Sequence, residues 1–384
     1  MQSLLSSYSV NVIETRSLSL IKNVLIKCLE IPDKRLKPNI VEELTSYIRL
    51  RFLIDNFQIK VFIAYREDEA IGFVISQLDP HYKSYGRKCA TFGWLTAPDL
   101  ETCKCLLKKC ENFAKSKKFR RIRGNINFPK GIGGFGVQTH GFDQRLLYGV
   151  PFKHSKIKTN KFLVKCGYKP ESLYTCMKVS SRVWKSGKKP PSDIRFDYLT
   201  FKELKDRKNE ILELARNSFY SILPDTYGGE ERFDEILKIQ SQIPSRLFKL
   251  NNSINFKELS KEPLFLEAWK NFNLKKIAPL APIAVNRKTG EIAGILLGIP
   301  DLYETWLGKD LTRVNIDTAM ISKDYNGKGI FSALNNIGQM TCRLFGITYF
   351  EGTSIWFNNM AAVNSIFPHS NIVRKHIVFE KIVK

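Results

Sequence analysis

Hydrophobic and polar positions along this chain change period in the same order twice. In the first half, Val61-Phe62-Ile63-Ala64-Tyr65 and Ile71-Gly72-Phe73-Val74-Ile75 flank a charged turn at 66–69 and predict a β-hairpin. A further strand is expected over Ala90–Leu95. A helix should follow Pro98, with Asp99 as its N-cap and Cys103, Leu106, Leu107, Cys110, Phe113 and Ala114 on its buried face. In the second half, Pro282–Val285 and Ala293–Leu297 flank the turn Asn286–Gly290. A strand is expected over Val314–Met320, then a helix from about Ile330 to Phe345 that buries Leu334, Ile337, Thr341 and Leu344. The shared order is hairpin, strand, helix, strand. It predicts a mixed α/β (α+β) plan, and its recurrence after roughly two hundred residues predicts a domain duplication and not a solenoid.

The boundary between the copies is expected in Ser180–Asp193, where Ser, Gly, Lys and the pair Pro190-Pro191 interrupt the periodicity. This gives two domains, 1–184 and 185–384, each a central, mostly antiparallel sheet flanked by helices.

Composition narrows the class. Hydrophobic residues make up 43% and charged residues 26% of 384, as in a folded globular chain. No run of about 18 apolar residues is present, so no membrane span is expected. Met1–Val10 is polar and Ser-rich, so no secretory leader is expected. The eight cysteines form no C-x-x-C pair and read as reduced thiols, pointing to a cytoplasmic setting. The net charge of +24 is uneven. Residues 101–190 hold 22 Lys and Arg against four acids. Such a block suits an anionic partner (a phosphorylated small molecule, nucleic acid or acidic lipid) or is a solvated lysine-rich surface.

The segment that carries chemistry is Ile321-Ser322-Lys323-Asp324-Tyr325-Asn326-Gly327-Lys328-Gly329-Ile330, between a predicted strand and a predicted helix. Gly327 and Gly329 allow a tight turn that exposes backbone N–H groups at a helix N-terminus, a site for phosphate or pyrophosphate, with Lys323 and Lys328 beside it. The segment resembles the acyl-CoA loop of the GNAT acetyltransferase superfamily, Gln/Arg-x-x-Gly-x-Gly/Ala, with Asp324 standing where Gln or Arg is usual. The strand near Thr348–Ile355, Asn359 entering a helix, and a last strand over Val373–Lys381 follow the same order. The resemblance implies acetyl-CoA or another acyl-CoA as co-substrate. It implies a binding set of Met320, Ile321, Lys323, Asp324, Tyr325, Asn326, Gly327, Lys328, Gly329, Ile330 and Asn359. Most of the chain also resembles a group of tandem GNAT proteins, through Arg123-Gly124-Asn125-Ile126-Asn127-Phe128, Gly141-Phe142-Asp143, Cys166-Gly167-Tyr168 and Ile299-Pro300-Asp301. The first half has Thr96-Ala97-Pro98-Asp99-Leu100 in place of the loop, so no acyl-CoA site is expected there.

The resemblance further implies an N-acyltransferase acting on an amine. Asp317 and Glu351 are the candidate catalytic carboxylates, as base. The superfamily's acid is usually a Tyr after the Asn. Here Ser365-Ile366-Phe367 stands in that region, and Tyr325 and Tyr349 are the substitutes. Two other readings stay open: an aminoacyl-tRNA-dependent transferase with tandem GNAT-like domains, for which the basic stretch would hold tRNA, and an inactive acyl-CoA or anion-binding protein. Gly131–Gly136 spells G-x-G-x-x-G, but no helix start follows it, and a flexible Gly-rich substrate loop is expected instead. The histidines and the Cys103, Cys105, Cys110 group lack metal spacing, so no metal site is expected.

Overall fold

The computed structural model describes residues 9–31, 33–54, 57–143, 158–179, 188–218, 223–226, 230–248, 259, 261–270, 272–359 and 370–383. Positions 180–187 of the linker expected over Ser180–Asp193, the Ser365-Ile366-Phe367 segment, the helix expected after Asn359, and His154 and His369 lie outside these residues.

Up to position 179 the strands are β1 (Val10–Thr15), β2 (Gln58–Arg66), β3 (Glu69–Leu78), β4 (Lys83–Ser84), β5 (Arg87–Lys88), β6 (Ala90–Thr96), β7 (Arg121–Gly124), β8 (Ile126–Asn127), β9 (Gly134–Phe135), β10 (Val137–His140) and β11 (Lys169–Val179). Beyond it come β12 (Ile194–Thr200), β13 (Ile277–Asn286), β14 (Ile292–Pro300), β15 (Arg313–Ile321), β16 (Tyr349–Trp356) and β17 (Ser370–Ile382). The helices used below are α1 (Leu18–Cys28), α2 (Lys37–Arg51), α3 (Leu100–Ser116), α4 (Lys158–Lys165), α5 (Phe201–Asp206), α6 (Lys208–Ser218), α7 (Glu230–Ser241), α8 (Pro263–Trp269), α9 (Leu302–Trp306) and α10 (Ile330–Leu344).

The chain divides into two compact units. The first comprises Met1–Thr175, Pro224–Thr226 and Val373–Lys384; the second comprises Cys176–Leu223 and Tyr227–Ile372. In the first, β1, β2, β3 and β6 pair antiparallel in that order, and β7 joins parallel to β6 after the α3 crossover. In the second, β12, β13, β14 and β15 do the same, and β16 joins parallel to β15 after α10. A parallel pair needs a crossover, and the amphipathic helix in each copy supplies it.

Each crossover helix forms for reasons legible in its residues. The Asp99 carboxylate caps α3 by accepting the Thr102 amide at 2.8 Å. Its expected apolar face is buried in the first core with Phe62, Val74, Phe92 and Ile122. On α10, Leu334, Ile337, Thr341 and Leu344 are all buried. At about 25 cal/mol per Å² of apolar surface, these two faces are a main source of each unit's stability.

One strand lies where the sequence pattern did not put it. The last strand, expected to finish the second half, pairs antiparallel with β7 of the first unit (Phe379 opposite Gly124) and with β10 (Val137 opposite Ile377). The attraction is specific. Val378 and Phe379 are buried there, Glu380 meets Arg123 at 2.9 Å and Lys381 meets Glu111 at 2.8 Å. Residues 131–136 also differ from the flexible loop expected. They form a packed turn on β8 and β9, in which a Cβ on Gly133 would stand 1.8 Å from the Asn127 carbonyl oxygen.

Candidate functional site

The connection from β15 to α10 is built by its glycines. β15 ends as the Ser322 amide bonds to the Ala293 carbonyl at 2.9 Å. One 3₁₀ turn follows at Lys323–Tyr325. Gly327 then takes φ +71° and Gly329, the N-cap of α10, takes φ +80°. Both are left-handed positions that side-chain-bearing residues rarely adopt. The amides of Tyr325, Asn326 and Lys328 are used inside the turn. Those of Gly327, Gly329 and Ile330 have no acceptor among the described residues. They stand at the positive end of the α10 dipole, the arrangement that receives phosphate oxygens.

Side chains divide the loop's labour. Tyr325 turns inward: its hydroxyl accepts from Asn286 Nδ2 at 2.6 Å and donates to Asp193 Oδ2 at 3.4 Å. Met320 and Ile330 are buried and Ile321 packs on the same core, so these three can offer a ligand only their backbone. Lys323, Asp324, Asn326 and Lys328 are exposed, and Lys328 Nζ lies 5.3 Å from the Tyr325 ring centre. Lys188 is a residue that pattern reading missed. A Cβ on Gly329 would stand 2.5 Å from the Lys188 carbonyl oxygen, and one on Gly327 would stand 3.9 Å from Lys188 Nζ. The chain before β12 therefore runs beside the loop and brings a third cation to it. Its only sequence signal was a lysine among others in Ser180–Asp193.

The two candidate carboxylates differ in their partners. The β14–β15 register slips between Leu297 and Gly298, which leaves Asp317 as the extra residue of a bulge. The Asp317 side chain is buried against Arg232 of α7, and Thr318 Oγ1 donates to it at 2.9 Å. Glu351 is fully buried at the end of the parallel ladder, opposite Asn315. It accepts the Tyr349 hydroxyl at 2.8 Å. The Arg313 guanidinium lies 4.1 Å from the centre of the Tyr349 ring. Asn359 follows β16, and its amide bonds to the Trp356 carbonyl at 2.9 Å.

The ladder between β15 and β16 covers only Arg313–Asn315 and Tyr349–Glu351, although the strands continue to Ile321 and Trp356. At its end the Thr353 amide turns to Asn315 Oδ1 at 3.1 Å, and Ser354 takes φ +55°. Beyond Asn315 the edge of β15 that faces β16 is unpaired with it.

Comparison with solved structures fits this arrangement. A tandem GNAT protein from the clavulanic acid biosynthesis pathway, solved without AcCoA, aligns over 98% of this chain and 99% of its own, with a TM-score of 0.54 at 9% identity. A GCN5-related glucosamine N-acetyltransferase region of a fungal multi-domain GH3 beta-N-acetylglucosaminidase aligns at a TM-score of 0.55 and 12% identity. The match covers 98% of this chain and 38% of that much longer one. A GCN5-related N-acetyltransferase from Sphaerobacter thermophilus aligns at 0.50 and 11% identity, over 97% and 96% of the two chains. The chain has the tandem GNAT fold. No family model matches its sequence, and no curated protein does.

Within this tandem GNAT fold the first unit holds a different interior. The signature arginine, Arg123, is fully buried and bonds Asp225 (2.9 and 3.0 Å), Glu380 (2.9 Å) and Ser172 (2.8 Å), with Glu171 at 2.7 Å. Tyr82 and Tyr174 also donate to Asp225. Burial, and then the Asp225 charge, push both phenols well above their ordinary value. Arg123 is thus the centre of a sealed ionic cluster, with no path to a ligand through its own side chain.

Proposed function

We propose that this protein is an acyl-CoA-dependent N-acyltransferase, with acetyl-CoA or another acyl-CoA as donor and an amine as acceptor, and that its donor site lies in the second unit. The observation that carries the reading is the pair of left-handed glycines before α10, whose amides are not consumed by the fold. Three backbone donors at a helix N-terminus, with Lys188, Lys323 and Lys328 around them, suit a diphosphate. The exposed Asp324 can turn its charge into solvent. The unpaired edge of β15 beyond Asn315 suits an extended arm that carries amides, and Asn359 stands after the facing strand.

The donor supplies an activated acyl carbonyl; the residues supply position and proton transfer. The new bond joins the acceptor nitrogen to that carbonyl carbon, the C–S bond breaks, and the nitrogen must lose a proton. Glu351, buried and bonded to Tyr349, is the base in this reading. The Tyr349 hydroxyl carries the proton to it and is the nearby O–H for the departing sulfur. Asp317 is committed to Arg232, so we assign it to positioning: it fixes the bulge and the start of α7.

Calorimetric titration with acetyl-CoA and free coenzyme A tests the donor site, using the native chain and Gly327→Glu, with circular dichroism to confirm that the variant is folded. Saturable binding that the folded variant loses is expected. Release of free thiol in the presence of an amine panel then reads turnover. A folded native chain that binds neither compound overturns the proposal.

A further inference from the structure

The charge excess of this chain falls in residues 101–190, most of which belong to the first unit. In the first unit, Lys104, Lys108 and Lys115 on α3 and Lys118 and Arg120 just beyond it are all exposed. Positions 104, 108 and 115 share one side of a helix, because they are spaced by four and seven. At 1.5 Å per residue they form a line of about 17 Å. Two acids belong to this helix, Glu101 in its first turn and Glu111 on its buried side. Glu111 is buried and neutralised by Lys381 at 2.8 Å, with the Tyr168 hydroxyl at 3.2 Å. Glu101 stands at the far end, 4.0 Å from Arg66. The packed neighbour α4 adds Lys158, Lys161 and Lys165, all exposed.

The line ends at a cavity of about 490 Å³ lined by Lys115, Lys118, Phe119, Arg120, Ile382 and Val383. Three of its walls are cationic, three are apolar and none is acidic. Ile382 is 61% exposed, which is unusual for a residue at the end of a strand whose inner face is buried. Phe119 rests one side on the core and keeps the rest open. The Val383 amide bonds the Arg120 carbonyl at 2.9 Å, which holds the two walls together.

We propose that this face binds single-stranded nucleic acid, with phosphodiesters along Lys104, Lys108, Lys115 and Lys118 and a base lodged against Phe119 and Ile382. A lone phosphorylated metabolite would occupy the cavity and leave Lys104 and Lys108 without a role. The line of cations leading into it calls for a polymer. A lipid surface would also be met by the cations, and the vesicle arm of the test below separates it from a polymer. Alternating phosphate and ring is the pattern that a charged track with an apolar pocket matches. The site lies in the unit without the glycine loop and is independent of the acyl-donor reading.

Fluorescence anisotropy with a labelled uridine 20-mer and an adenosine 20-mer, across a salt series, tests this. Binding should weaken with salt, by roughly 0.7 in log–log slope per phosphate contacted. Lys115→Glu with Lys118→Glu should cost at least about tenfold in affinity and flatten the slope by about 1.4, two contacts' worth. Ile382→Ala should weaken binding and leave the slope unchanged, because it removes an apolar contact with the lodged base and no charge. Lys202→Glu, an exposed change in the second unit, is the control. Absence of binding by the folded chain overturns the proposal. So does affinity unchanged by the double reversal, or retention on phosphatidylserine vesicles without retention of RNA.

Discussion

The two units place different chemistry at the same point of one topology. Matched on their parallel ladders, Ala90 with Arg313 and Ile122 with Tyr349, they bring Trp94 to the place of Asp317 and Gly124 to the place of Glu351. The bulge supports the match: the β3–β6 register also slips, between Phe73 and Ile75, at Trp94. In the second unit that point holds two carboxylates and the end of the β15–β16 ladder. In the first it is filled. The Trp94 indole is buried and donates to the Phe128 carbonyl at 2.7 Å, and the Trp94 amide donates to Asn127 Oδ1 at 2.5 Å. Gly93 lies so close to the returning chain that a Cβ would stand 1.9 Å from the Ile126 carbonyl oxygen. One copy keeps two buried carboxylates there and has the glycine loop before its crossover helix; the other packs an indole there and has a proline-containing turn for a loop. The same ladder therefore carries paired carboxylates in one copy and a packed indole in the other, according to what stands at two positions.

The largest effect should come from breaking the closed copy. Arg123→Met strands the buried Asp225 charge, and loss of a buried partner typically costs about 3–5 kcal/mol. Guanidinium unfolding should show that drop, and a change below about 1 kcal/mol would mean the cluster contributes specificity and not stability. The open copy should respond in rate instead. Glu351→Gln is expected to lower kcat about a hundredfold, as for loss of a general base, with coenzyme A affinity retained in the same titration. If kcat holds, the base is elsewhere. A smaller effect sharpens the contrast in packing. Gly93→Ala must push back a backbone carbonyl and should cost about 1–3 kcal/mol, as overpacking does. Near neutral pH the smallest effect is a pH dependence that one histidine gives the first unit. Burial, with help from the Arg374 charge, pushes the His376 imidazole down to about 3. The unfolded chain takes up that proton near pH 6.5, so it binds more protons than the folded one between those values. Stability should fall as pH drops from about 6.5 towards 3. His376→Gln should flatten that part of a melting-temperature profile.

Much of the fold was legible because it rests on local period. The hairpins, the strands at 90–96 and 313–321, the α3 cap and the buried faces of both crossover helices follow from spacing and from one carboxylate at an N-terminus. The loop was legible for a similar reason: glycines two apart between a strand and a helix leave few other conformations. The partners of the polar residues were not legible. Asp317 and Glu351 look alike in sequence, yet one is committed to an arginine 85 positions away and the other to a tyrosine two positions before it. Lys188 carried no signal, because its role comes from the path of the chain before β12.

By itself, then, the sequence determined the repeated order of elements, the faces they bury and the tight turn of the glycine loop before α10. Each of these depends on residues within a turn or two of one another, where covalent geometry restricts the outcome. Only the tertiary structure decided that β17 joins the first unit's sheet, that Arg123 is sealed among carboxylates from three distant segments, and that a buried indole stands in the first unit where the second has Asp317. These are contacts between residues far apart in the chain. The energy of each depends on desolvation and on every neighbour present at once, and no local pattern records it.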